Sequence, residues 1–344
     1  MKKESYILIV VLIVFGCAKK ESSHHFSSVD IQHIWQDSTS IRAIEFLDAN
    51  TLAFAGSNGF YGSVEASTGK VRANVQTYDS IIPEFRAVAH TKTDFFMLSA
   101  GNPALLYKTG SDGKMELVYS EKGEGVFYDA MTFFNDKEGL AVGDFNNGCL
   151  AILITRDGGH TWNRLACDEV PSLDSATGAY AASNTNIATQ GDNAWVMTSK
   201  KSLLMTNDRG LSWKAVQTPI QIESAYHGIY SIAFYDAMIG FGIGGDFSNS
   251  ELNRSNKIKT MDGGMHWTLV ADEAAPGYKS CVQYVPNSGG DDLVAVGFTG
   301  IAYSKDGGAT WGTLSEKGFY TLRFLNDSVA YAAGKNSIAK LTFR

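Results

Sequence analysis

Four copies of one short motif, Ser/Thr-x-Asp-x-Gly-x-x-Trp, recur at near-regular spacing and constrain the fold more than any other feature of the chain. A strand-like run precedes and follows each copy, so each motif is predicted to form the turn of a β-hairpin. The aspartate can accept backbone N–H bonds, the glycine permits positive φ, and the tryptophan can bury its indole against a neighbouring unit. These "repeat loops" contain Asp157 and Trp162, Asp208 and Trp213, Asp262 and Trp267, and Asp306 and Trp311.

The motif resembles the Asp-box, or BNR repeat, found in sialidases and in many β-propellers that are not enzymes. Such loops are informative about fold and weakly informative about function. Small-residue-rich strands also recur seven times, at about 45 residues per unit, which is the length of a four-stranded propeller blade. The sequence therefore predicts one all-β domain at 30–344, a seven-bladed β-propeller. Its innermost strands are predicted to begin at Arg42, Arg86, Asp129, Tyr180, Tyr230, Lys279 and Tyr320.

The seventh unit ends after its third strand. Residues 31–37 include Trp35 where the other units have their tryptophan, so this segment can supply the missing outer strand. We expect the two ends of the chain to pair and close the last blade, which removes two open sheet edges.

The N-terminus is predicted to be a signal for export. Lys2 and Lys3 precede a short uncharged stretch that ends in Gly16-Cys17, and this pattern resembles a bacterial lipoprotein signal. We expect a signal peptide at 1–16, lipid on Cys17, and a flexible tether at 17–29. A plain secretory signal is the alternative. Ala18 follows the cysteine, and by resemblance to the enterobacterial sorting rule this indicates an outer-membrane lipoprotein, facing the periplasm or the cell surface.

Composition argues against several classes of partner. The net charge is −7, and removal of residues 1–16, which contain two lysines and one glutamate, makes it −8. Nucleic-acid binding requires a basic face, so no nucleic-acid partner is expected. His24 and His25 have no further ligands at suitable spacing, and the acidic loops at 144–148 and 246–251 lack the spacing of a calcium loop, so no metal is predicted.

Over the mature chain, runs such as FYDAMTFFND, GLAVGD, GIYSIAF, IGFGIGGD and GFYTLRF resemble the photosystem II stability/assembly-factor-like family. That resemblance implies a seven-bladed scaffold that binds another protein. We expect the propeller to be monomeric, its partner to be an envelope or membrane protein, and the lipid to be its only attachment to the membrane. Bacterial members are often labelled "oxidoreductase". The glycine run at 240–245 has no following helix pattern that could hold a pyrophosphate, so no nucleotide or other cofactor is predicted.

One face of the predicted propeller gathers charged and aromatic residues around the axis. They are Arg42, Arg86, Asp129, Asp144, Tyr180, Tyr230, Asp246, Lys279 and Tyr320. Arginine and aromatic side chains are typical of binding hot spots, which favours a protein-binding or assembly scaffold. The alternative is a sialidase-like glycoside hydrolase with a tyrosine nucleophile acting on envelope or extracellular glycans. Arg86 is followed by Ala87-Val88 rather than the Ile-Pro of sialidases, and no complete catalytic site can be assigned.

Three cysteines remain beside Cys17. Cys149 begins the strand before the first repeat loop and Cys167 ends the strand after it, so the two nearly face one another across the predicted hairpin. A disulfide suits an oxidising compartment. Two buried thiols are the other interpretation.

Overall fold

The fold is built from antiparallel β-strands. The structure, a computed structural model, describes residues 24–110, 112–175 and 177–344. Within these ranges no helix is long and apolar enough to cross a membrane. The predicted signal peptide at 1–16 and the predicted lipidation site, Cys17, lie outside the described residues.

The strands form six hydrogen-bonded sheets, and five of these contain four consecutive strands each. Of these five, the first in chain order consists of β5 (Phe85–His90), β6 (Phe95–Ser99), β7 (Ala104–Thr109) and β8 (Met115–Glu121). The next consists of β9 (Tyr128–Phe133), β10 (Gly139–Asn146), β11 (Cys149–Thr155) and β12 (Asn163–Arg164). The third consists of β13 (Ile187–Gln190), β14 (Asn193–Met197), β15 (Ser202–Thr206) and β16 (Lys214–Gln217). The fourth consists of β17 (His227–Phe234), β18 (Gly240–Asp246), β19 (Lys257–Thr260) and β20 (Thr268–Leu269). The fifth consists of β21 (Cys281–Tyr284), β22 (Leu293–Gly297), β23 (Gly300–Ser304) and β24 (Gly312–Ser315).

The sixth sheet joins the two ends of the chain. It consists of β1 (Val29–Asp48), β2 (Thr51–Gly56), β3 (Phe60–Glu65), β4 (Val71–Val75), β25 (Thr321–Phe324) and β26 (Val329–Phe343). Its strand order is β25-β26-β1-β2-β3-β4. We call it the terminal sheet.

The expectation of seven blades is wrong, because the described strands form a six-bladed β-propeller. The blades expected at the two ends of the chain are one continuous sheet. β1 is 20 residues long, and it pairs with β26 through its first part and with β2 through its second part. The expected pairing of residues 31–37 with the end of the chain is present, from Ile31 opposite Leu341 to Gln36 opposite Ser337. Trp35 stacks on Phe60 at 4.8 Å between ring centroids.

The sheets are arranged in a ring around an axis. The first strands β5, β9, β13, β17 and β21 each pack against the next, and β25 and β1 complete the circle. The second and third strands are mostly buried between neighbouring sheets, whereas the fourth strands are largely exposed. The hydrophobic core is therefore divided into clusters between adjacent sheets.

Each repeat loop is held by side chains within the loop. In the first, Thr155 Oγ1 accepts the N–H of Gly159 at 2.9 Å and donates to Asp157 Oδ1 at 2.9 Å. Asp157 in turn accepts the N–H of Thr161 at 2.9 Å. Gly159 has φ +77°, and a Cβ there would lie 2.3 Å from the ring of Phe96 in the preceding sheet. The glycine that all four motifs share is therefore required both for the turn and for sheet packing.

Antiparallel pairing defines two faces of the ring. Turns between first and second strands, and between third and fourth strands, lie at one end of every sheet. The repeat loops are third-to-fourth turns, so we call this end the repeat-loop face. The second-to-third turns and most connections between sheets lie at the opposite end, which we call the funnel face.

The described part of the predicted tether is packed rather than free. The ring of Phe26 lies 5.0 Å from that of Tyr303 and 5.1 Å from that of Phe343. The N–H groups of Ser27 and Ser28 donate to the carbonyl oxygen of Arg344. Any flexible tether from Cys17 is therefore shorter than the predicted 17–29.

Candidate functional site: an axial funnel

A non-regular segment, Ala179–Thr185, crosses the axis of the ring. The prediction of an innermost strand beginning at Tyr180 is wrong, because the first strand of that sheet begins at Ile187. Asn184 shows why the segment leaves the sheet: its side-chain amide donates to Val88 O at 2.8 Å and its Oδ1 accepts the N–H of Met131 at 2.9 Å. These bonds reach two other sheets. We call Ala179–Thr185 the axial segment.

The axial segment separates two cavities of about 410 Å³ each. The cavity on the funnel face, which we call the funnel, is lined by Arg42, Arg86, Phe127, Asp129, Ala179, Tyr180, Ala181, Ala182, Tyr230, Phe247, Tyr278, Phe298 and Tyr320. The cavity on the other side includes Asn184, Thr185, and an ion pair between Arg323 and Glu45 at 3.0 Å. The funnel is therefore a closed-ended pocket.

Two arginines stand side by side in the funnel. The Arg42 guanidinium lies 4.0 Å above the centre of the Tyr320 ring, and its Nη1 donates to Ala182 O at 3.4 Å. Burial and the neighbouring Arg86 lower the pKa of Arg42 below its usual value. The buried Nε of Arg42 has no hydrogen-bond partner in the described ranges. An anionic group would relieve both the repulsion between the guanidiniums and this unmet donor.

The positive charge of Arg86 is partly offset by a neighbouring carboxylate. It forms an ion pair with Glu84 at 3.0 Å and donates from Nη1 to Ala181 O at 3.1 Å. The two arginines therefore also hold the carbonyl groups of the axial segment in place.

Asp129 lies next to these arginines but is a weak counter-ion for them. Its side chain is fully buried, and neither carboxylate oxygen has a hydrogen bond of normal geometry to any described residue. Burial raises the pKa of Asp129 well above its ordinary value, and Asp144 raises it further, whereas Arg86 and the N–H of Ala181 oppose the shift more weakly. Burial therefore disfavours the carboxylate form of Asp129, which limits how far this side chain can offset the two guanidiniums.

Aromatic rings form the wall of the funnel. Tyr180 stacks on Tyr230 with centroids 3.7 Å apart, and Tyr230 meets the edge of Tyr278 at 5.0 Å. Burial raises the pKa of Tyr180 to about 12 and raises those of Tyr230 and Tyr278 further. These hydroxyls are therefore neutral at physiological pH, and none is activated as a nucleophile.

Beside this wall, three large aromatic side chains are exposed. Tyr226, Phe247 and Phe298 are 50%, 46% and 45% accessible, and we call them the aromatic crest. Tyr226 lies 4.7 Å from Phe247 between ring centroids, and Phe298 lies 5.1 Å from Tyr278. An apolar surface thus continues from the funnel wall to solvent.

Three predicted site residues lie outside the cavity lining but support it. Asp246 is buried and accepts the N–H of Ser248 at 2.8 Å, which fixes the turn that carries Phe247. Lys279 is buried and donates to Thr299 Oγ1 at 2.7 Å, next to Phe298. Burial lowers the pKa of Lys279 to about 8.

The third is Asp144, which accepts the N–H of Ala179 at 3.1 Å at the start of the axial segment. Burial raises the pKa of Asp144 above its usual value. The other six predicted residues, Arg42, Arg86, Asp129, Tyr180, Tyr230 and Tyr320, line the funnel itself.

Besides three alanines of the axial segment, sequence reasoning missed four aromatic lining residues: Phe127, Phe247, Tyr278 and Phe298. Phe247 and Phe298 directly follow the second strands of two neighbouring sheets, and this shared position is the signal that could have identified them.

Away from the funnel, Cys149 and Cys167 form a disulfide, and Cys281 is a buried free thiol. Within the described ranges, no group of three or more His, Cys, Asp or Glu side chains is arranged to hold a metal ion.

The class defined by this architecture is the β-propeller, with a closed-ended axial funnel. No protein-family model matches the chain, and no curated protein matches it in sequence. Solved structures do match the fold. YCF48 bound to D1 peptide has a TM-score of 0.63 at 12% identity, covering 96% of this chain and 100% of that one.

YCF48 from Cyanidioschyzon merolae has a TM-score of 0.65 at 14% identity, covering 92% of this chain and 99% of that one. The RRP9 WD40 repeats have a TM-score of 0.64 at 10% identity, covering 92% and 98% respectively. The fold is therefore a YCF48-like β-propeller, and at these identities the likeness establishes the fold alone.

Proposed function

We propose that this protein is a lipid-anchored scaffold of the cell envelope that binds an extended segment of another protein in the funnel. The observation that carries the proposal is the pair of arginines, Arg42 and Arg86, in one pocket, with a buried Arg42 Nε that has no partner in the described ranges. Burial raises the pKa of the neighbouring Asp129, so its carboxylate is a weak counter-ion for them. A carboxylate on the partner can accept from both guanidiniums, while apolar side chains next to it pack on the aromatic wall and crest.

The similar fold of YCF48, in a structure that contains a D1 peptide, supports this type of ligand. A β-propeller presents a rigid pocket to a flexible chain, and the funnel volume of about 410 Å³ accommodates a few side chains of a peptide. The expected partner is an envelope or membrane protein, and the propeller is expected to act as a monomer.

Lipid attachment at Cys17 rests on the sequence pattern Gly16-Cys17. Because Ala18 follows the cysteine, the location we propose is the outer membrane, on its periplasmic or surface side. A membrane-attached scaffold meets membrane proteins at high local concentration, which suits a role in their assembly.

The test is capture of partners from detergent-solubilised membranes by the purified protein. Arg42→Ala with Arg86→Ala should lower recovery of a stoichiometric partner by about tenfold or more, because charge-assisted hydrogen bonds contribute roughly 1.5–3 kcal/mol each. Lys137→Ala with Lys305→Ala is the matched control, since it removes the same charge from exposed positions on the repeat-loop face and should leave recovery unchanged.

The two arginines also bond the axial segment, so a second variant separates binding from folding. Phe298→Ala removes a 45% exposed side chain and should change the melting temperature little while weakening capture. Normal capture by both folded variants would contradict the proposal. Cleavage of sialosides by the wild type, lost in the arginine variant, would instead establish the glycoside hydrolase alternative.

A further inference from the structure

The described chain begins on the repeat-loop face. His24 Nδ1 lies 3.1 Å from Asp292 Oδ2, in the turn between β21 and β22. Its Nε2 lies 3.7 Å from Asp327, in the turn between β25 and β26. Both are first-to-second turns and thus belong to this face. A group attached further toward the N-terminus must approach the propeller from the repeat-loop side.

The length of chain between the anchor and the fold limits how the propeller can be oriented. His24 is seven residues from Cys17, so the intervening chain spans at most about 25 Å when fully extended. The funnel face lies beyond strands of about 17–20 Å, with loops at both ends. A lipid on Cys17 can therefore hold the repeat-loop face at a membrane but cannot lay the funnel face flat against it.

The same face exposes large apolar side chains. Leu211, Met261 and Met265 lie in repeat loops and are 75%, 60% and 46% accessible. Met238, 52% accessible, lies in the turn between β17 and β18, and its carbonyl oxygen accepts the N–H of Gly263 at 2.9 Å. All four belong to two neighbouring sheets, and the next sheet in the ring is the one that His24 contacts. Exposed apolar side chains grouped in this way indicate a contact surface.

We propose that the repeat-loop face rests on the lipid bilayer that carries the Cys17 anchor, with Leu211, Met238, Met261 and Met265 at the headgroup boundary. This inference relies on the lipid attachment proposed above. It directs the funnel away from that membrane, where the funnel can bind a segment that the partner exposes outside the bilayer. Turns of the same face carry both acidic residues, Asp236 and Asp291, and the exposed Lys137 and Lys305, so charges of both signs are present and zwitterionic phospholipid is the lipid that fits.

The methionines themselves report the orientation. The chain from Cys17 onward contains every described residue, and its Cys17 thiol can be coupled to a maleimide phospholipid in phosphatidylethanolamine/phosphatidylcholine vesicles. Cys149 and Cys167 are joined and Cys281 is buried, so coupling is directed to Cys17. Hydrogen peroxide then oxidises accessible methionines, and mass spectrometry gives the rate at each position. Phe298→Met introduces a reporter on the funnel face.

Coupled protein should oxidise at least about threefold more slowly at Met261 and Met265 than uncoupled protein mixed with the same vesicles. The reporter introduced by Phe298→Met should oxidise at the same rate in both. Unchanged rates at Met261 and Met265, or slower oxidation at position 298, would overturn the orientation.

A second variant tests apolar contact rather than simple proximity. Leu211→Gln with Met261→Gln should reduce the protection of Met265 in coupled protein, whereas full retention of protection would show that these side chains do not enter the lipid. The maleimide lipid makes both measurements independent of acylation in cells. If the natural lipid anchor does not exist, the protein in cells will show no membrane attachment that depends on Cys17, and that result is separate from the vesicle measurements.

Discussion

Trp267→Ala should destabilise the propeller by about 3–5 kcal/mol, because it removes a large side chain from between two sheets. The indole is 6% exposed and meets Phe234 edge-on at 5.9 Å. It belongs to a buried cluster that includes Trp195, Met197 and Leu203 of the preceding sheet. Its Nε1 also donates to Gly264 O at 3.0 Å, so truncation removes a hydrogen bond as well as packing. At roughly 2 °C per kcal/mol for a chain of this size, the melting temperature should fall by about 6–10 °C.

Trp213→Ala provides the matched control for Trp267→Ala. Trp213 occupies the same position of another repeat loop, but it is only partly buried, and its indole N–H has no partner in the described ranges. Calorimetry should therefore give a clearly smaller fall for this variant. Equal falls in melting temperature for the two variants would refute the inference that Trp267 stabilises the fold through burial between sheets. Both proteins should still capture partner at temperatures where they are folded, and a selective loss of capture would move the binding site to the repeat loops.

Two further predictions concern single groups. Asp129→Asn should flatten the pH dependence of stability: because the folded pKa of Asp129 is raised, the wild type loses stability as pH rises from the ordinary aspartate value of 3.8 toward the folded value, and the amide does not. Melting curves from pH 4 to 8 that remain parallel for the two proteins would contradict this. Cys17→Ser should release the protein from the membrane fraction and abolish lipid labelling, and a variant that stays attached and labelled would show that the signal was misread.

The repeat loops could be predicted from sequence because their stabilising bonds are local. The partners of Asp157, Thr155 and Gly159 all lie within one octapeptide, so the motif alone specifies the turn. The pairing of residues 31–37 with the C-terminal strand was also predictable, because one unit lacked a strand that another segment could supply. The number of blades could not be predicted, because β1 runs without interruption through its pairings with β26 and β2. No pattern of residues in the sequence indicates that continuity.

The candidate site, too, was predictable from sequence only in part. Arg42, Arg86 and Tyr320 could be placed together because equivalent positions of a repeat converge at the axis. The path of the axial segment across the axis could not be predicted, because its sequence, YAASN, resembles the innermost strands of other units. Its conformation depends instead on bonds to distant sheets, such as Thr321 Oγ1 to Ser183 O at 3.0 Å and Ser183 Oγ to Ser280 O at 2.6 Å.

These cross-axis bonds connect the fold to the proposed binding role. Arg86 and Arg42 hold the carbonyl groups of Ala181 and Ala182, and the segment so fixed presents Tyr180 in a stack with Tyr230. The wall of the funnel is thus ordered before any ligand arrives, and the protein loses little conformational entropy on binding. The cost of ordering falls mainly on the partner, so the funnel is suited to a flexible segment whose carboxylate and apolar side chains can adapt to a rigid surface. Because the wall depends on the axial segment, substitutions in that segment should weaken partner capture even at positions that do not contact the ligand. Such substitutions would disturb the stack of Tyr180 on Tyr230 rather than the arginines.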